Sequence, residues 1–343
     1  MKTPTVSIVM PVHNAVATLD DAMRSILEQT WQDFEFIIVD DGSSDDTVAK
    51  LERYDKLDSR VRLYRQQKHG MIAALNQGCR RARGGYIARM DADDISLPHR
   101  IEKQLECLEG HPDIGIIGTW VSRMDEKGSI TGESCPSPSP RVLKWQHFFG
   151  ICVIHPTVMM YREILEKLDF YKADAVHAED RDLWLRASAI TEFSNVPEIL
   201  LKQRVWSKST SKRLGPEYLD NAIKLGTFFI SDFLKDNVSK NAVAGLRGVR
   251  LANLSQIRQT AILLERIYHA FVAQNSVSSA EAKEISWDAA KRMARLALQA
   301  SRFSRVEFLL LLKRALQLNY RLLSPSAILK DLERHRSMNF AGY

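Results

Sequence analysis

The chain has 343 residues, 45% hydrophobic and 26% charged, an ordinary composition for a globular protein with its own core, built as two domains or as one large α/β domain with an appendage. Four scattered cysteines (Cys79, Cys107, Cys135, Cys152) with no C-x-x-C pair argue against a disulfide framework or zinc site and favour a reducing compartment, and no apolar run approaches the roughly 20 residues of a membrane span. The net charge of +6 is uneven: Gly226 to Tyr343 carries 18 Lys/Arg against 9 Asp/Glu, while the preceding residues sum to −3, so the C-terminal third either meets an anionic partner or presents a solvated helical surface.

Met1-Lys2-Thr3-Pro4 runs straight into Val6-Ser7-Ile8-Val9-Met10, with no signal peptide expected. That short β run is expected to stop at Pro11. Leu19, Ala22, Met23, Ile26 and Leu27 recur at helical spacing, with Thr18 and Asp21 placed as a capping pair. Phe34 to Val39 reads as a buried strand ending in the turn signal Asp40-Asp41-Gly42-Ser43. A helix around Val48 and Leu51, a strand at Val61 to Tyr64 and a helix from Ile72 to Ala82 follow. Gly84-Gly85 breaks the pattern before a strand at Tyr86 to Met90, and Pro98 opens a helix carrying Ile101, Leu105 and Leu108.

Pro136, Pro138 and Pro140 mark a loop, and His155 to Met160 reads as another strand entry. A helix begins near Glu179 and runs through Leu183, Trp184 and Ala187. After about Gly215 long amphipathic stretches take over, at Leu225–Leu234, Leu254–Phe271 and Ala289–Leu323. Strand–helix repeats imply an α/β, mainly parallel, doubly wound sheet whose ligands bind beyond the C-terminal strand ends. Those ends are Pro11 to Asn14, Asp40 to Ser44 and Asp91 to Asp94.

Asp91-Ala92-Asp93-Asp94 is the sharpest chemical signal. Two carboxylates two residues apart at a strand end can hold a hard divalent cation, which in turn can neutralise a diphosphate leaving group; a solvated acidic turn is the plainer alternative. The Gly and distal Glu of an EF-hand are missing. Asp40 and Asp41 can accept from a ribose hydroxyl or a base N–H, or simply shape a tight turn. Glu179-Asp180-Arg181-Asp182 opens a helix, where acids suit the dipole and where one carboxylate can act as a general base. No G-x-G-x-x-G or Walker A motif appears, and His13, His69, His155 and His177 lack metal-ligand spacing.

In order, these segments resemble glycosyltransferase family 2, inverting enzymes of GT-A fold, and most of all bacterial enzymes building lipopolysaccharide, capsule or exopolysaccharide. The matched pieces are Val6 to Asn14, Ile37 to Ser43, Ala74 to Gly78 with Ala82 to Gly84, Arg89 to Asp94, His155 to Thr157 and Glu179 to Arg186, within roughly Thr5 to Ser211. The resemblance implies a Rossmann-like GT-A domain over residues 1–214 and a helical region over 215–343 that binds the membrane surface, shapes the acceptor site or oligomerises. It implies a nucleotide-sugar donor, a UDP sugar first among the choices, and a glycan or lipid-linked acceptor. Pro11, His13, Asn14, Asp40, Asp41, Ser43, Asn76, Arg89, Asp91, Ala92 and Arg204 would line the donor pocket. Asp91 and Asp93 would hold Mn²⁺ or Mg²⁺, and Asp180, with Glu179 as the fallback, would be the catalytic base. The location implied is cytoplasmic, at the inner face of the plasma membrane through the basic helices.

One departure stands out. Where the family often carries Tyr-Arg-x-His and then a Ser, this chain has Gln203-Arg204-Val205-Trp206 with Ser209 and Ser211 beyond. An indole cannot ligate a metal. Arg204 can still meet phosphate, and His155 or His177 are the substitutes for the missing imidazole. Two competing readings remain: a catalytically inactive nucleotide-sugar scaffold, and a sugar-phosphate nucleotidyltransferase, which lacks its Gly-rich loop here. No zinc finger, helix-turn-helix or stacking pattern supports nucleic-acid binding.

Overall fold

The structure, a computed structural model, describes residues 3–150, 152–206 and 215–320. Ser209, Ser211 and the end of the Ala289–Leu323 stretch lie outside them. The chain divides into two compact units, one of residues 1–140 and 152–213 and a second of 141–151 and 214–343. The first contains β1 (Val6–Val12), α1 (Leu19–Leu27), β2 (Phe34–Asp41), α2 (Thr47–Leu57), β3 (Val61–Gln66), α3 (Met71–Arg81) and β4 (Tyr86–Arg89). It continues with β5 (Ile95–Ser96), α4 (Arg100–Gly110), β6 (Ile114–Met124) and β7 (Ile130–Ser134). After α5 (Pro140–Gln146) come β8 (Met159–Tyr161), α6 (Arg162–Lys167), α7 (Glu179–Ala187) and β9 (Glu192–Arg204).

The strands form one sheet in the order β3-β2-β1-β4-β8-β6-β9-β5, with β7 added to β6. β3, β2, β1 and β4 are parallel, and all eight residues of β2 are buried, as a strand covered on both faces requires. β8 runs antiparallel to both β4 and β6, and β9 is parallel to β6. Two reversals restore the original direction, so β9 points the same way as β1. The C-terminal ends of β1, β2, β4 and β9 therefore share one edge of the sheet. Against its faces pack Met10, Met23, Ile26, Phe36, Ile38 and Ile101, all fully buried. α3 lies close enough on β1 and β2 that a Cβ at Gly78 would stand 2.6 Å from a Val9 methyl.

Four local expectations are corrected. Pro11 does not stop β1, which continues to Val12. Met90 N–H donates to the Val9 carbonyl, so Val9 and, two residues on, Pro11 turn their backbone toward β4. β4 ends at Arg89, and Pro11 has no ladder bond there to forfeit. Thr18 precedes α1 but its side chain caps nothing; the hydroxyl is drawn instead to the Ala92 carbonyl. His155–Thr157 is a 3₁₀ turn before the short strand β8. The stretch expected as one helix from Ala289 is two, separated near Ser301 to Ser304.

The second unit, by itself, contains α8 (Gly215–Leu234), α9 (Lys240–Leu246), α10 (Leu254–Gln274), α11 (Ser279–Ala300) and α12 (Arg305–Leu318). Ser278 and Glu281 form a capping box on α11, and the Ser304 side chain caps α12. Residues 141–151, read from sequence as part of the first domain, belong here. Trp145 stands 4.8 Å from Phe149 and 5.6 Å from Phe271 between ring centres, and its indole donates to Asp288 at 2.7 Å. Burial of that aromatic group with Ile257, Leu264, Ile267 and Met293 gives the helices their own core.

Candidate active site

The loops after β1 and β2 are tied together. Gly42 takes a positive φ of 69°, which turns the chain out of β2, and Asn14 takes 50°. Asn14 N–H donates to Ser43 Oγ at 2.9 Å, and Ser44 N–H donates to Asn14 Oδ1 at 2.8 Å. His13 Nε2 lies 3.0 Å from Lys68 Nζ on the exposed rim. Asp41 accepts from Gln66 Nε2 (2.7 Å) and from the His69 (2.8 Å) and Gly70 (2.9 Å) N–H groups. It thereby fixes the loop between β3 and α3. Asp40 accepts from Ser43 N–H at 3.3 Å through Oδ2, while its buried Oδ1 has no protein partner.

The loop after β4 gathers three carboxylates. Oxygen atoms of Asp91, Asp93 and Asp94 all lie within 4.8 Å of one another. The loop is braced from four sides. Thr18 Oγ1 donates to the Ala92 carbonyl at 2.9 Å. Buried Arg89 donates to Asp91 Oδ2 at 2.6 Å. Arg204 donates its backbone N–H to Asp94 Oδ1 at 2.8 Å and its Nε–H to the Asp93 carbonyl at 3.0 Å. Trp206 donates its indole N–H to Asp93 Oδ2 at 2.6 Å. Fully buried Arg100 underlies the loop, donating to the Arg89 carbonyl at 2.9 Å and the Pro156 carbonyl at 3.1 Å. Burial pushes the Arg100 guanidinium down to about 10 while the Asp94 charge opposes that fall.

These donors do not neutralise the cluster. Burial, then the Asp91 charge, push Asp93 above the usual carboxylate range, and burial with both neighbours pushes Asp94 well above it. Asp94 Oδ2 is buried with no protein partner. Crowded carboxylate oxygens with unmet charge are the donor set a hard divalent cation takes, so the residues fit Mn²⁺ or Mg²⁺.

The second acidic pair opens α7, where the helix N-terminus favours anions. Burial and then the Asp180 charge push Glu179 up to about 7, with Asp91 adding to the rise. Burial also raises Asp180, whose Oδ1 accepts from Arg181 N–H at 2.6 Å. The Arg89 charge acts on Asp91, Asp93, Asp94, Glu179 and Asp180 alike. The two acidic groups are therefore coupled electrostatically to the same guanidinium, Arg89, which contacts Asp91 directly. Tyr171 joins them: its hydroxyl lies 2.9 Å from His155 Nε2 and feels Arg89, Glu179 and Asp180. Burial and Arg89 hold His155 well below the usual imidazole range, and its Nε2 is engaged with Tyr171.

Several residues expected at the donor also hold the fold together. Asn76 donates to the Tyr171 carbonyl at 2.8 Å and accepts from its N–H at 3.0 Å, which commits its whole amide to the loop before α7. Arg204 also donates to the Asp125 and Glu126 carbonyls, so its guanidinium ties that turn to the acidic loop. Trp206 reaches the aspartate that a ligating imidazole would flank. Sequence reading passed over Thr18, Tyr171 and Arg100 as site residues. Only Arg100 leaves a trace, because it falls on the buried stripe of α4 with Ile101, Gln104, Leu105 and Leu108.

Comparison with known proteins supplies the context for this geometry. The sequence profile described as Glycosyl transferase family 2 matches residues 7–169. The O-antigen biosynthesis glycosyltransferase WbnJ of Escherichia coli is 32% identical over 245 residues, covering 70% of this chain and 93% of its own. Among solved structures, S. aureus TarS 1-349 in complex with UDP-GlcNAc aligns with a TM-score of 0.54 at 14% identity, over 92% of this chain and 91% of that one. The mannosyltransferase PcManGT from Pyrobaculum calidifontis, in complex with GDP-Man and Mn2+, aligns with a TM-score of 0.53 at 18% identity, over 94% and 88%. At these identities the two structures speak to the fold.

Proposed function

The chain belongs to glycosyltransferase family 2, and we propose that it is an inverting transferase moving a sugar from a nucleotide-diphosphate donor to a glycan or lipid-linked acceptor in surface polysaccharide synthesis. A UDP sugar is the first donor to try. The observation that carries this reading is the electrostatic coupling of Arg89 to Asp91, Asp93, Asp94, Glu179 and Asp180. Support for the donor class comes from TarS, solved with UDP-GlcNAc, and for the cation from PcManGT, solved with Mn2+. Support for the pathway comes from the O-antigen relative.

In this reading Asp40, whose buried Oδ1 has no protein partner, and the joined Asn14–Ser43 loops receive the nucleoside, while Asp41 holds their neighbour loop in place. Asp91 and Asp93 hold the cation, which when bound offsets the charge developing on the diphosphate. Arg89 stays protonated, because its carboxylate neighbours more than offset the burial that opposes its charge. Asp180, raised by burial, takes the proton of the acceptor hydroxyl as that oxygen attacks the anomeric carbon opposite the diphosphate. One in-line displacement inverts the anomeric centre. Incubation with a panel of nucleotide sugars, acceptor and Mn²⁺, read by NMR of the product, tests it. The expected product has the anomeric configuration opposite to its donor; retention of configuration rejects the inverting assignment.

A further inference from the structure

Helix α12 has apolar side chains that are exposed as well as ones buried in its unit's core. Its first half contains the run Phe308-Leu309-Leu310-Leu311-Leu312, yet only Leu311 of these is fully buried. Val306 is 68% exposed, Leu309 61% and Leu310 51%. At the helical rotation per residue, Arg305, Val306, Leu309, Leu310, Lys313 and Gln317 fall within an arc of about 140°. The acid of the first turn, Glu307, points the other way and is buried against Arg258 at 2.7 Å. Phe303 and Leu298, also exposed, come just before α12 in the chain, and Arg302 lies over the Phe303 ring at 5.1 Å. A helix apolar on both sides belongs against something on both sides.

We propose that this face of α12, with Phe303 and Leu298, docks on an anionic lipid surface. Its chemistry matches that partner: leucine and valine at the centre, Arg302, Arg305 and Lys313 around them, and no acidic residue on the arc. The net charge of +9 from Gly226 onward adds long-range attraction. A second copy of the chain meeting the same face by a two-fold axis would set arginine and lysine against themselves. No helix among the described residues is long and apolar enough to cross a membrane, so the contact is with the surface. It is independent of the transfer reaction.

The test uses the full chain with vesicles of equimolar phosphatidylglycerol and phosphatidylcholine, against phosphatidylcholine alone, read by co-sedimentation. Wild type is expected on the anionic vesicles, with binding that weakens as salt rises. Leu309→Ser with Leu310→Ser is expected to lower affinity by about tenfold or more, with far-UV circular dichroism and thermal midpoint unchanged because both residues are exposed. Arg305→Gln with Lys313→Gln is expected to weaken binding and flatten its salt dependence. Absence of wild-type binding, or both variants binding like wild type, overturns the proposal. So does a wild-type dimer that the leucine variant dissociates while neither form binds vesicles.

Discussion

Acids stand at the ends of two parallel strands, β2 and β4, on either side of β1, and the structure treats them in opposite ways. At the end of β2, Asp41 accepts three hydrogen bonds from Gln66, His69 and Gly70. Beyond β4, Asp91, Asp93 and Asp94 face one another more than they face donors, and the latter two rise above the usual carboxylate range. The acids opening α7 share that second condition. Acidic residues at strand ends are thus alike in sequence but unlike in use. Where donors meet the charge, the carboxylate holds a loop in place; where they do not, we propose that it serves a cation or proton transfer.

The comparison breaks most visibly at the base. Asp180→Asn should lower turnover by about 10³-fold with donor binding retained, measured as nucleotide diphosphate release and donor affinity. Undiminished turnover would return the α7 acids to the role of ordinary dipole partners.

The under-compensated side also has a signature in stability. Glu179 rises from 4.5 to about 7 on folding, so its contribution is fully present below 4.5 and is lost as pH climbs through about 7. Glu179→Gln keeps the neutral shape at every pH. It should match wild type at acid pH and exceed it above pH 7 by up to about 3 kcal/mol in denaturant unfolding. Parallel stability curves would show that Glu179 is not held in its neutral form.

On the compensated side, Asp41→Asn replaces an acceptor oxygen by a donor amongst three donors. It should cost about 2 kcal/mol of stability in the same assay, while cation affinity stays unchanged. A loss of cation affinity as large as that from Asp93→Asn would erase the distinction between the two strand ends.

The smallest effect expected is at the junction between them and β9. Trp206 holds Asp93 Oδ2 and leaves its other oxygen for a cation. Trp206→Phe keeps the ring and removes the N–H, and Mn²⁺ affinity by calorimetry should fall about tenfold. Tighter binding would mean that the indole competes with the cation instead of orienting its ligand.

Legibility followed range. The strands' places in the chain, the acidic triplet and the start of α7 at Glu179 could be read because alternation, turn residues and short spacing are local, though β1 and β2 run past the stops expected at Pro11 and Val39. So is the break before α12, where Ser304 and Glu307 stand at capping distance and were passed over. Long-range partners were not legible. Thr18 serves Ala92, 74 residues away, and Arg204 and Trp206 serve Asp93 and Asp94 from more than 100 residues away. Their roles depend on β8 running against its neighbours so that β9 ends at the same edge as β4. Residues 141–151 illustrate the same limit, since Trp145 and Phe149 declare their unit only through rings more than 100 residues later, such as Phe271.

The most direct measurement is nucleotide diphosphate release from the donor that turns over, with Mn²⁺, with chelator, and with Mn²⁺ restored, in wild type and Asp93→Asn. The account predicts release that stops with chelator, returns with Mn²⁺, and is near background in the variant throughout. Release that ignores the chelator, or an Asp93→Asn enzyme as fast as wild type, would contradict it.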